Sequence, residues 1–426
     1  MKVYLDTIGC RLNQSEIENM ARQFRAAGHE IIANAESADL AVVNTCAVTA
    51  KAASDSRGKI RQIARAGVEE IIATGCWVTI QPREAAGLPA VSQVVTNDRK
   101  DWLVADYLDL PQESFDLEPI ARQRMPGLHH RTRAFIKVQD GCDNHCTFCV
   151  TTIARGRSHS RTVAQVLADI QAALQGDTKE IILTGVHLGS WGQDFGFHLR
   201  DLITAILRET DVPRLRLSSL EPWDLDVDFF KLWENPRLCR HLHLPLQSGS
   251  AATLKRMARK TTPASFKELV DGLRQVMPDA AVTTDIIAGF PGETELEFSE
   301  SLGFVRDMNF AGGHVFTYSP RASTGAARMV GQINQAVSKE RGAAYRTLFD
   351  NSAEVYRRKF IGDSVSVLWE SMTQLNERGW QMEGLTGNYL RVTAAASSPR
   401  WNIVDDVKLT GLEGDVLLGG EITGSL

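Results

Sequence analysis

The feature that most constrains this chain is its repeated alternation of short apolar runs with amphipathic helical stretches. In the first hundred residues KVYLDTI, LAVVNT and EIIATG read as core strands, with helical patterns over 14–27 and 52–66 between them. Apolar strands separated by helices belong to a parallel sheet covered on both faces. The expectation is an α/β fold that opens with a doubly wound parallel sheet. A cysteine follows each of these strands: Cys10, Cys46 and Cys76, spaced by 36 and 30 residues. Open parallel sheets bind ligands in the crevice outside the strand carboxyl ends. Three thiols far apart in sequence can therefore converge there.

Residues 109–127 carry prolines and little periodicity and read as a linker. A second α/β block follows, with candidate strands AFIKVQ, EIILTG, RLRLSS, HLHLPLQ, TTDIIAG and GGHVFTY. Six strand–helix units are fewer than the eight of a closed TIM barrel, so an open six-stranded (βα)6 partial barrel is expected. A long basic helix over 338–359 closes this block. From 363 onward, short segments rich in Val, Leu, Trp and Thr alternate with Gly and Asn. They read as a small antiparallel β-barrel of the oligonucleotide-binding size. The expected domains are thus 1–108, the linker 109–127, 128–360 and 361–426.

A chain of 426 residues, 43% hydrophobic and 23% charged, is neither disordered nor fibrous and can bury a large core without disulfides. No apolar run approaches the ~18 residues that span a bilayer. The opening MKVYLDTIGC reads as a strand rather than a leader. A cytoplasmic location with no membrane partner is expected. The net charge of −5 argues against a generally basic nucleic-acid binder, but the charges are unevenly spread. Residues 121–161 hold eight Lys/Arg and two Asp, and residues 51–65 hold five Lys/Arg and one Asp. The last segment, 363–426, holds nine acids and four bases. The basic stretches fit either a polyanion or solvated helix faces.

The sharpest motif is DGCDNHCTFC, which spaces Cys142, Cys146 and Cys149 as C-x3-C-x2-C just after the first strand of the expected barrel. Three thiolates this close can hold an iron–sulfur cluster and leave one metal corner open. A structural zinc ion would need a fourth ligand, for which His145 and His159 are the near candidates. A zinc-containing, non-catalytic RNA-binding protein therefore stays open as an alternative. Cys239 belongs to no motif and reads as a small buried hydrophobe.

This cysteine spacing, after the first strand of a partial barrel, resembles the radical S-adenosylmethionine superfamily. TIGCRLNQSEIENM, VVNTCAVTAKAASDSR and ATGCW resemble the amino-terminal domain of the methylthiotransferases within it, and the terminal barrel stands where that family carries its TRAM domain. The resemblance implies that Cys142, Cys146 and Cys149 hold a [4Fe-4S] cluster whose open iron chelates S-adenosylmethionine. Reductive cleavage would then give a 5′-deoxyadenosyl radical able to attack an unactivated C–H bond. It further implies that Cys10, Cys46 and Cys76 hold a second, auxiliary [4Fe-4S] cluster that carries the sulfur. A second S-adenosylmethionine would act as methyl donor. No catalytic side chain is expected beyond these six ligands.

Other contacts follow from the same resemblance. Phe148, Gly185, Glu221, Gln247, Ile287 and Gly289 would meet S-adenosylmethionine, with Arg157 clamping its carboxylate. Packing and ordinary turns would equally explain the aromatic ring and the glycines. Lys51, Arg57, Arg61, Arg155 and Arg161 would meet substrate phosphates. CRLNQSEIE, LTGVHLGSWG, LRLSSLEPWD and YSPRASTGAARM resemble the branch that acts on tRNA carrying N6-threonylcarbamoyladenosine. Isopentenyladenosine tRNA or a ribosomal-protein aspartate are the alternatives. The acidic terminal barrel would reach RNA only through local groups such as Trp380, Arg391, Arg400 and Trp401, or would contact protein instead. An electron donor of flavodoxin type is implied, and the sulfur source is not.

Overall fold

Five parallel strands open the chain in a computed structural model that describes residues 1–115, 132–376 and 379–422. They are β1 (Lys2–Thr7), β2 (Glu30–Ile32), β3 (Leu40–Thr45), β4 (Ile71–Gly75) and β5 (Val91–Val95). Their order is β2-β1-β3-β4-β5. Successive residues of β3 enter opposite cores. Leu40 and Val42 pack with Ile17, Met20 and Phe24 of the helix Arg11–Ala26, and Ala41 and Val43 pack with Ile60 and Ile63 of the helix Ala50–Arg65. Burying such a side chain contributes about 1.5–3 kcal/mol, so both faces hold the sheet flat against helices as its apolar strands dictate. In the order 2-1-3-4-5 the chain reverses direction across the sheet between β1 and β3, which is where the carboxyl-end crevice opens.

The chain divides into two compact units: residues 1–145 with 149–177 and 183–198, and residues 146–148 with 178–182 and 199–426. Besides the five-stranded sheet, the first unit holds β6 (Arg133–Lys137), β7 (Gln139–Asp140) and β8 (His159–Ser160), the last two pairing antiparallel. It also holds the end of β9 (Glu180–Thr184), where the Thr184 carbonyl accepts the Val138 N–H at 2.9 Å. The part of the expected linker from 116 onward lies outside the described residues, as does 121–131 of the basic stretch.

The second unit holds the start of β9 with β10 (Arg214–Leu217), β11 (His241–His243), β12 (Ala281–Ala288) and β13 (Gly312–Thr317). β11, β12 and β13 form a parallel sheet, and Leu215 of β10 bridges Leu238, three residues before β11. Thr262 and Thr294 cap the helices Pro263–Val276 and Glu295–Asp307 with reciprocal capping boxes, as their sequences dictate. The helix Gln335–Arg358 closes the block close to the span expected for it.

The last five strands are β14 (Ser364–Asn376), β15 (Gly379–Thr386), β16 (Arg391–Ala396), β17 (Val404–Glu413) and β18 (Val416–Gly419). They form a closed barrel in the order 14-15-16-18-17. The expected antiparallel barrel differs at its closure, where β16 and β18 run parallel. Its berth on the rest of the unit is built on Glu180, whose carboxylate holds Arg214 at 2.9 Å and Arg216 at 2.7 Å. Their guanidinium groups then donate to the main-chain carbonyls of Leu385, Thr386 and Gly387. Arg216 also lies 4.6 Å over the Tyr389 ring. Among the described residues no helix is long and apolar enough to cross a membrane.

Candidate active site

Register brings the first three cysteines together. Thr7 lies opposite Asn44 and Thr45 opposite Gly75, so β1, β3 and β4 end side by side. Cys46 and Cys76 are the next residues, and Cys10 ends the β1 turn as the residue before helix Arg11–Ala26. The approach is tight enough to require glycine. A methyl group on Gly9, at φ +119°, would stand 2.9 Å from the Cys46 sulfur. Asn13 fastens two of these turns, donating its side-chain N–H groups to the Ile8 carbonyl at 2.9 Å and the Thr45 carbonyl at 3.1 Å. Asn97 does the same for the third, lying 3.6 Å from the Cys76 sulfur and donating to the Ala154 carbonyl at 2.6 Å. Loss of solvent pushes the Cys46 thiol up against the Val48 N–H, and Cys10 and Cys76 add to the rise.

The second triplet sits on the irregular segment 141–150, which follows β7 as expected. Gly141, at φ +69°, has no room for a side chain because the Arg157 carbonyl lies 1.9 Å from where its Cβ would be. The Cys142 N–H donates to the Gly156 carbonyl at 3.1 Å, closing the loop on itself. The Asn144 N–H points at the Cys142 sulfur at 3.4 Å and the Thr151 N–H at the Cys149 sulfur at 3.3 Å. In the second unit, Arg259 lies 3.9 Å from the Cys146 sulfur while both its terminal nitrogens hold Glu221, at 3.1 and 2.6 Å. Its guanidinium also stacks 4.4 Å over Trp223.

Within the first unit runs a buried ionic network. Arg155 contacts Glu16 at 2.8 Å, Asp140 at 2.9 Å and the Asn13 side-chain oxygen at 2.7 Å. Lys100 meets Glu16 at 2.8 Å, and Lys137 meets Asp101 at 2.8 Å and Asp140 at 3.4 Å. Burial alone would raise the Glu16 carboxyl, but Arg155, then Lys100 and Lys137, hold it well below the usual carboxylate range. Arg155 is correspondingly held above its ordinary value by Glu16 and Asp140, against burial.

This corrects one expectation. Arg155 does not face substrate phosphate, because 2% of its side chain is exposed and its terminal nitrogens are bound to buried acids. Glu221, expected to meet ribose or methionine groups of the cofactor, meets Arg259 and remains partly exposed. Arg157 is almost fully exposed beside Asp143 at 3.8 Å. Arg161 pairs with Asp169 and donates to the Lys137 carbonyl. Lys51 is exposed beside Asp55, Arg61 is exposed, and Arg57 lies 5.8 Å over the Trp77 ring. Phe148 packs edge-on against Phe290, with centroids 6.4 Å apart.

Gly185 gives close passage to the Gln139 side chain, 2.8 Å from its missing Cβ. Gln247 adopts φ +74° and accepts the Ile287 N–H at 2.9 Å, which ties two of the expected cofactor positions together. At Gly289, φ +73°, a Cβ would strike the Ser338 hydroxyl. Asn13 and Glu16, which sequence reading passed over, lie three and six residues after Cys10 on the buried helix face. That spacing was a usable signal. Nothing local to Arg259 or Lys100 announces their partners.

Among the described residues no three His, Cys, Asp or Glu side chains close on a point that would hold a single metal ion. The donor set does fit iron–sulfur clusters, which take each thiolate on a separate iron and are tuned by N–H groups aimed at sulfur. Cys239 shows the contrast: its buried thiol instead lies 3.8 Å from the Glu180 carboxylate, to which it donates. No such cage surrounds it.

Two family profiles match. Residues 2–96 match the one described as "Uncharacterized protein family UPF0004", and residues 136–305 match the radical SAM superfamily. The chain is 35% identical to the threonylcarbamoyladenosine tRNA methylthiotransferase MtaB of Bacillus subtilis (strain 168), over 92% of this chain and 89% of that protein. It is 38% identical to the protein of the same name from Thermotoga maritima, over 86% of each. Among solved structures, the radical S-adenosylmethionine methyltransferase TsrM from Kitasatospora setae shares the fold. The TM-score is 0.58 at 14% identity, over 76% of this chain and 74% of that one.

Proposed function

Because this chain belongs to the radical S-adenosylmethionine methylthiotransferase family of enzymes, we propose that it inserts a methylthio group at C2 of N6-threonylcarbamoyladenosine beside the tRNA anticodon. The observation that carries the reading is the gathering of Cys10, Cys46 and Cys76 at three adjacent strand ends, in a chain that also has the C-x3-C-x2-C loop. One triplet serves radical generation. A second, separately built triplet answers the need to present sulfur. The substrate choice is supported by the names of the two relatives.

In this reading Cys142, Cys146 and Cys149 hold one [4Fe-4S] cluster, and Cys10, Cys46 and Cys76 hold another. When bound, the first cluster and S-adenosylmethionine supply a one-electron oxidant strong enough to remove hydrogen from a C–H bond that no base could deprotonate. The residues around it bind and orient. Phe148, Gly185, Gln247, Ile287 and Gly289 line the cofactor, and Arg157 meets its carboxylate. Arg259 neutralises charge at Cys146 and fixes Glu221. Lys51, Arg57, Arg61 and Arg161 meet tRNA phosphates, which position RNA without reading its sequence. The loop base must leave its stack to be reached. A low-potential donor of flavodoxin type supplies the electron, in the cytoplasm.

The test separates the two triplets. With reduced, iron-loaded protein and modified tRNA, Cys146→Ala should abolish 5′-deoxyadenosine release. Cys46→Ala should keep that release and lose the thiomethylated nucleoside. Loss of cofactor cleavage in both, with the fold intact, refutes the division of roles. Modification only of isopentenyladenosine tRNA, or only of a ribosomal-protein aspartate, moves the substrate to that alternative.

A further inference from the structure

We propose that Arg155 is a positioning residue that sets both cysteine cradles at once, through one buried guanidinium held between them. The inference rests on the reading that each triplet holds a cluster, and it adds a device that fixes the two together.

The geometry is specific. Arg155 ends the short helix Thr151–Arg155, which begins two residues after Cys149. On one side it grips Asp140 through both carboxylate oxygens at 2.9 Å. Asp140 in turn accepts the Gly141 N–H at 2.8 Å, one residue before Cys142. The next residue, Gly156, accepts the Cys142 N–H. Both ends of the 142–149 segment are therefore tied to Arg155 or its neighbour.

On the other side Arg155 donates to the Asn13 side-chain oxygen at 2.7 Å, and that amide clamps the carbonyls of Ile8 and Thr45. It also meets Glu16, which accepts from the Asn44 side chain at 3.0 Å. The turns that carry Cys10 and Cys46 are thus fixed by groups that Arg155 orients. The third cysteine joins through the same helix, because Asn97 spans from the Cys76 sulfur to the Ala154 carbonyl. A planar fork reaches three acceptors in fixed directions, which a lysine ammonium on a flexible stem cannot do. A surface phosphate contact would not explain this burial or this number of acidic partners.

Three variants divide the device. Arg155→Lys keeps the charge and removes the fork, Asn13→Ala releases only the turns of Cys10 and Cys46, and Asp140→Asn weakens only the Cys142 side. The first readout is amide hydrogen exchange in metal-free protein, where β3 and β4 report whether the fold survives. Arg155→Lys should speed exchange about tenfold or more in both 8–13 and 141–150. Asn13→Ala should do so in 8–13 and not in 141–150, and Asp140→Asn in 141–150 and not in 8–13.

The second readout is bound iron in two parent chains, Cys142→Ala and Cys46→Ala, each with one intact cradle. Arg155→Lys should lower iron in both parents, and the other two variants in one each. Acceleration or iron loss confined to a single cradle in Arg155→Lys, or absent from both, overturns the proposal. If Arg155→Lys loses protection in β3 and β4, the two one-sided variants decide it: loosening of 8–13 by Asn13→Ala and of 141–150 by Asp140→Asn, each without the other segment, supports the role of Arg155, and any other pattern refutes it. If the parent chains take up no iron at all, the two-cluster reading fails, while the exchange result still judges Arg155.

Discussion

Replacing Gly75 with alanine tests how the first three cysteines are brought together. Gly75 is the last residue of β4 and stands opposite Thr45, so each immediately precedes a cysteine. Its φ is +102°, and an added methyl would lie 2.4 Å from the Thr45 oxygen and 2.5 Å from the Thr45 nitrogen. Both are backbone atoms that cannot rotate aside, and the contact is roughly 1 Å short of ordinary separation. The conformation costs alanine about 1–3 kcal/mol, and the overlap a further 1–3 kcal/mol or so.

Gly67→Ala isolates the second effect, because Gly67 has φ +96° and a methyl group added there would meet nothing within 4 Å. At about 2–4 °C per kcal/mol for a unit of 150–250 residues, Gly75→Ala should melt roughly 2–12 °C below Gly67→Ala. The assay is thermal unfolding of metal-free protein, followed by iron binding in the Cys142→Ala chain. Gly75→Ala should bind less iron there, and Gly67→Ala should match its parent. If the two alanine variants melt together and bind equal iron, the close approach of β3 and β4 does not set the cysteine spacing.

Arg259→Gln removes a cation 3.9 Å from the Cys146 sulfur. It should lower the midpoint potential of the cluster proposed at Cys142, Cys146 and Cys149 by about 60 mV, the equivalent of one charged hydrogen bond, in an EPR-monitored redox titration; an unchanged or raised potential contradicts the electrostatic role. Glu16 is buried with its folded value held below the unfolded one, so its pairing stabilises the chain above the unfolded value of about 4.3 and that stability is lost as pH falls toward the folded value. The melting temperature of metal-free protein should therefore fall more steeply from pH 5 to 3 in the parent than in Glu16→Gln, and equal slopes refute the assignment. Arg216→Met strips a buried partner from Glu180 and the donors from Thr386 and Gly387. It should destabilise the second unit by about 3–5 kcal/mol in denaturant unfolding, and a loss under 1 kcal/mol would show that Arg214 suffices.

Periodicity and cysteine placement made much of this architecture readable. Long apolar strands such as Leu40–Thr45 and Glu180–Thr184 are buried throughout, and they appear where the pattern placed them. β2 escaped because three residues carry no period, and β5 because the exposed Ser92 and Gln93 interrupt its valines. The parallel pairing of β16 with β18 depends on closure of the whole barrel, which no local pattern encodes. The same limit applies to the site. In ARGRSHSR the arginines look alike, yet Arg155 is buried and Arg157 is exposed, because Glu16 and Asn13 lie far away in sequence. Cysteines stand out by type and position. The polar residues that orient them become visible only when distant segments meet.

The berth of the terminal barrel has a consequence for how such a chain can diversify. Arg214 and Arg216 take hold of peptide oxygens at Leu385, Thr386 and Gly387. Apart from the Tyr389 ring and the Asn388 side chain, which donates to the Tyr356 hydroxyl at 3.0 Å, that handhold is indifferent to which side chains the barrel displays on its outside. New outer surfaces could be fitted to the same seat as long as this one turn keeps its course, so the module's exterior can be rewritten without rebuilding the part of the chain that carries it.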